Sequence, residues 1–169
     1  MKQAQQQNEK MMGAFLEMDG PGELMINVLI VAVTAAIGEE FFFRGLVQRM
    51  VYQWYGKVHL AIFISAVLFS ALHMQFYGFL PRFALGLVFG YVLYFTGSIW
   101  VPVFLHFLNN FVTLIGTYLR QKGALDSSTM NERVAMDYPI VTALISLLLG
   151  ALIMLYLSRI NKDLFGPEE

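Results

Sequence analysis

The run TAAIGEEFFFRGLVQR, residues 34–49, sets two adjacent carboxylates, Glu39 and Glu40, and one guanidinium, Arg44, among apolar side chains. A charge near the centre of a membrane helix costs roughly 2.5–3.5 kcal/mol on insertion scales, so each such group calls for a reason. Glu40 and Arg44 are spaced i, i+4, share a helix face and can pair. Glu39 then points about 100° away round the helix, free to face something else. This is a division of labour in which one carboxylate is neutralised and the other stays available for proton transfer. The same three residues also read as a structural ion pair near a membrane interface, and on their own they leave both readings open.

Three other polar residues interrupt apolar segments. His73 closes FSALH, and taken alone reads as an interfacial or hydrogen-bonded core histidine. His106 and Asn110, in HFLNN, are again i, i+4, with both polar tips on one stripe. Each can donate a hydrogen bond, His106 from a ring N–H and Asn110 from its amide. Two donors on one face of a dry site could hold a developing oxyanion, although interhelical hydrogen bonding is the plainer use. Asn109 points elsewhere, and His59, beside Lys57 at a segment end, is interfacial with no assigned role. One carboxylate, two histidines and an asparagine on three separate apolar segments are more economically one site than three unrelated accidents.

The elements that must position these groups are membrane helices. The 169-residue chain is 57% hydrophobic and only 14% charged, with a mean hydropathy of +0.60. Ordinary soluble domains are about 25% charged, so the composition points to an all-α, polytopic transmembrane bundle. Five spans are expected: one from Leu24 through LMINVLIVAVTAAIGEEFFF that continues to Tyr55, then 57–76, 81–95, 99–119 and 138–157. Pro81 is expected at the first position of the third segment, and Gly86 and Gly90 form a GxxxG that permits close helix approach. Residues 1–23 read as a polar tail without a cleavable signal, 120–137 as a polar connection and 161–169 as a second polar tail. Glu39 lies midway along the first segment and His73 late in the second, so the two meet only if the helices tilt, stagger or break. Six Lys and Arg on one side against four or five on the other leave the orientation open. A net charge of -1 gives no case for a nucleic-acid partner, and the lack of cysteine excludes disulfides.

EEFFFR fits EExxxR, FSALH fits FxxxH and HFLNN fits HxxxN, in that order. On these motifs the chain resembles the CPBP family of intramembrane proteases, named for CAAX processing and bacteriocin processing and also called the ABI family. The surrounding EEFFFRGLVQ and TGSIWVPVFLHFLNN are similar to its bacterial members. The resemblance implies a transmembrane protease core over residues 24–160. It implies a glutamate-dependent endopeptidase of a bacterial inner membrane, acting on a membrane-associated peptide that could carry a prenylated CAAX tail. Glu39 and His73 would activate water, His106 and Asn110 would hold the oxyanion, Glu40 and Arg44 would organise the site, and no metal or other cofactor would be needed. Two other readings stand beside it. Glu39, His73 and His106 could make a His₂Glu zinc site, against which no HExxH occurs. Alternatively the cluster only holds helices together in a membrane scaffold or bacteriocin immunity protein.

Overall fold

The computed structural model describes residues 17–76 and 78–124, and among them every regular element is a helix. Four helices cover the described chain: α1 Pro21–Tyr55, α2 Val58–Leu72, α3 Phe79–Thr96 and α4 Trp100–Gln121. Three of them, α1, α3 and α4, are long and apolar enough to cross a membrane. The second expected span is instead a 15-residue helix. At 1.5 Å per residue it rises about 22 Å, short of a hydrocarbon core of about 30 Å. The fifth expected span, residues 1–16 of the expected N-terminal tail and the C-terminal tail lie outside the described residues. Helix α1 starts three residues before Leu24, with Pro21 at its first position and Glu23 reaching back to the Gly20 backbone N–H. Pro81 is the third residue of α3 rather than the first, still within the turn whose N–H groups lack helical acceptors.

Helix α1 is the spine. Its 35 residues rise about 52 Å, more than one span requires. No single neighbour covers it: the N-terminal half packs on α4 and the C-terminal half on α2. The handover falls at Glu39 and Glu40. The hairpin explains why. Gly56 ends α1 in the left-handed conformation (φ 66°), which glycine adopts without steric cost, and α2 runs back antiparallel. Glu39 and His73 each lie seventeen residues from Gly56, so a straight hairpin sets them side by side. The short α2 thus ends at the level of Glu39.

Two stretches of α1, Val28–Thr34 and Phe41–Gln48, are π-helical and flank a regular segment, Ala35–Glu40. A π-helical turn shifts carbonyls out of the usual i, i+4 ladder. Neighbouring helices take up two of them: Asn110 donates to the Val31 carbonyl (3.2 Å) and Ser65 to that of Phe43 (2.9 Å). Helices α2 and α3 approach closely through the GxxxG. A Cβ at Gly86 would meet Ala66 at 3.0 Å, and one at Gly90 would meet Ile62 at 2.8 Å. The other face of α1 shows Met25, Ile26, Leu29, Ile30, Phe42 and Leu46 to the outside, an apolar surface suited to lipid.

Candidate active site

The closed half of the site is built around Glu40. Its Oε1 accepts a hydrogen bond from Arg44 Nη1 (3.0 Å) and another from His106 Nδ1 (2.9 Å). The expected i, i+4 pair is therefore present, with both side chains at 0% exposure. Arg44 also donates through Nη2 to the Gly86 carbonyl (3.0 Å), which the missing side chain of that glycine leaves reachable. The guanidinium lies 4.6 Å from the Phe69 ring centroid and 5.4 Å from that of Phe89. The His106 ring stacks on Phe89 and meets Phe69 edge-on. Two buried charges are tolerable here because each has a partner and the aromatic faces complement the cation. Accepting from His106 Nδ1 fixes that nitrogen as the protonated one, so Nε2 is the atom presented to the rest of the site.

The open half is built around Glu39. Its Oε2 lies 3.8 Å from His73 Nε2 and 3.9 Å from His106 Nε2. Both distances are too long for a direct hydrogen bond and suit one bridging water. His73 Nδ1 sits 2.8 Å from the Phe69 carbonyl, which only a protonated nitrogen can satisfy, so its Nε2 also faces Glu39. Glu39 and His73 are each 31% exposed, in contrast with the sealed pair beside them. A cavity of about 410 Å³ opens here, lined by Gly38, Glu39, Phe42, Phe43, Leu72 and His73. Met74, directly after His73, holds a left-handed φ of 54°, a strained conformation for a residue with a Cβ.

The structure thus brings Glu39, Glu40, Arg44, His73 and His106 together. It places Asn110 one turn further along α4, with its amide on the Val31 carbonyl, where it ties α4 to α1. Among the described residues no three His, Asp or Glu side chains form a metal-binding group. His59 bonds the Tyr91 hydroxyl (3.0 Å), away from the cluster. Two polar residues escaped the sequence reading. Arg82, near the start of α3, donates to Gln75. Gln48 is buried one turn beyond Arg44 and donates to the Gly90 carbonyl (3.3 Å). The signal that picked out Arg44, a lone polar group in an apolar segment, also marks both of these.

An all-helical membrane protein with a carboxylate and two imidazoles converging between its helices belongs to a small set of possibilities. A family model described as Type II CAAX prenyl endopeptidase Rce1-like matches residues 21–112, more than half of the chain, and the chain belongs to that family. It is accordingly an integral membrane protein of a protease family, a hydrolase of the CAAX-processing type. The match spans every site residue from Glu39 to Asn110. No curated protein and no solved structure matches the chain.

Proposed function

We propose that the protein hydrolyses a peptide bond of a membrane-associated substrate by a glutamate-activated water, with Glu39 as general base. The observation that carries this is Glu39 Oε2 at 3.8 and 3.9 Å from the Nε2 atoms of both histidines, within reach of one water bonded to all three, beside an apolar cavity that Glu39 and His73 line. A water held there between Glu39 and His73 Nε2 gives one proton to Glu39 and attacks the substrate carbonyl carbon with its oxygen. The carbonyl electron pair moves onto oxygen, and the tetrahedral oxyanion forms beside His106. His106, braced through Nδ1 by Glu40, turns Nε2 toward that oxyanion and donates to it when that nitrogen carries a proton. The second Nδ2 hydrogen of Asn110 is the further donor, its first being held by Val31. Collapse of the intermediate breaks the C–N bond, and the proton on Glu39 passes to the leaving amine.

Entry of substrate through the apolar cavity between Phe42 and Leu72 suits a lipid-anchored tail, and the family description supports a CAAX-type peptide. The resemblance of the motif surroundings to bacterial relatives supports an inner-membrane setting. The test is cleavage of prenylated and unprenylated CAAX peptides by protein in lipid bilayers, comparing wild type, Glu39→Gln and His73→Ala. Cleavage confined to the wild type is expected, and equal turnover in all three would remove the proposal. Activity that survives exhaustive chelation is expected too; its loss, with recovery on adding zinc, would favour the His₂Glu metal alternative.

A further inference from the structure

Behind the Glu40–Arg44 pair, on the side away from Glu39, lies a second polar feature. Glu40, Arg44 and Gln48 follow one another at four-residue steps on one face of α1, all of them buried. Each keeps a buried polar atom with no hydrogen-bond partner: Glu40 Oε2, Arg44 Nε and Gln48 Oε1. Arg44 and Gln48 also line a cavity of about 350 Å³ that runs past Leu93 to Tyr52, Tyr94 and Gly56 at the end of α1. Tyr52 and Tyr94 are half exposed, as befits tyrosines at a membrane interface. A buried donor or acceptor left without a partner costs about 1–3 kcal/mol, and more beside hydrocarbon than beside water. Apolar cavities stay dry, but one with room for a liquid water's ~30 Å³ and two or more polar partners fills. Here the two residues that carry an unpartnered N–H donor and carbonyl acceptor line the same space one helical turn apart, and the space holds several such volumes.

We propose that this cavity is a water-binding site, in which water accepts from Arg44 Nε–H and donates to Gln48 Oε1. Through it the interface near Tyr52 hydrates the face of the ion pair that substrate never reaches. Gln48 is then a positioning residue: with its water it holds Arg44, which holds Glu40, which holds His106. The water site itself stands on the structure alone, while its kinetic consequence rests on the protease reading.

The test uses the whole ¹⁵N-labelled protein in lipid bilayers and follows magnetisation transfer from water to side-chain N–H groups by solid-state NMR. Arg44 Nε–H is expected to receive water magnetisation nearly as fast as exposed Arg49. Leu93→Trp, which fills the cavity and leaves the residues of the polar row unchanged, is expected to slow that transfer several-fold. An Arg44 signal in the wild type as dry as the backbone N–H of Ala61 or Ile62 overturns the proposal, as does transfer unaffected by Leu93→Trp. In peptide cleavage, Gln48→Met and Leu93→Trp are each expected to lower kcat ~10-fold with KM little changed, as loosened support of a reacting group does. Gln48→Glu, which keeps the acceptor and in its protonated form a donor for the Gly90 carbonyl, should retain more of the rate than Gln48→Met. Equal losses in Gln48→Met and Gln48→Glu would reduce Gln48 to packing and sink its positioning role. A hydrated Arg44 in a protein that cleaves nothing would remove the proposed function and leave the water site standing; cleavage with a dry Arg44 would do the reverse.

Discussion

Glu39 and Glu40 are neighbours in the chain and opposites in their surroundings. Glu40 is sealed, with its charge divided between Arg44 and His106 and aromatic rings on both sides of the guanidinium. Glu39 is a third exposed, faces two imidazole nitrogens that it does not quite touch, and opens onto a cavity. A carboxylate with all its partners in contact has little left to react with. One that stops short of hydrogen bonding to its partners keeps an oxygen free for a reactant. The difference teaches that a membrane site can divide its charges into a half that bears structure and a half that does chemistry. A helix rotation of about 100° between consecutive residues is enough to separate them.

That contrast is broken if the two glutamates behave alike on substitution. Glu40→Ala leaves Arg44 buried without its anion, and removing one member of a buried pair costs about 3–5 kcal/mol. A thermal unfolding measurement in detergent should show this as a large loss of stability. Glu39→Gln should leave the melting temperature near that of wild type while lowering kcat by ~10³-fold, within the range for a lost general base. Comparable melting losses for the two variants would erase the distinction.

Smaller effects sharpen it. Gly86→Val pushes a branched side chain against Ala66, where even a Cβ would sit at 3.0 Å, and displaces the carbonyl that Arg44 uses. Overpacking of this kind costs about 1–3 kcal/mol, and it should lower stability and activity together because it acts on the sealed half. The mildest change is Ser65→Ala, which removes a donor to the π-helical Phe43 carbonyl. Interhelical hydrogen bonds in membranes average about 0.6 kcal/mol, so a shift of only a few degrees in unfolding is expected, with KM and kcat unaltered.

Much of this was legible before any coordinates. The Glu40–Arg44 pair follows from helical spacing, which is local. Close packing at Gly86 and Gly90 follows from the absence of side chains. Even the meeting of Glu39 with His73 was present in the equal distances of both from Gly56, once a straight hairpin is assumed. Taking 57–76 as a full span obscured this, because hydropathy reports that a segment is apolar and not where the helix stops. The partners of His106 and Asn110 were not legible. Both sit on one stripe of α4, yet one reaches a carboxylate and the other a backbone carbonyl. That carbonyl is offered by a π-helical stretch with no marker in the residue types.

The order of the residues alone therefore determined that the chain is a bundle of apolar helices carrying charge at a few chosen turns, because periodicity and burial cost act within a single helix. Helical spacing also marked Glu40 as the partner of Arg44, but only the packing of α4 against one half of α1 and of α2 against the other decided that this pair is sealed and that Glu39 faces the histidines. That choice depends on where helices end and how closely they approach, and those are properties of several segments at once.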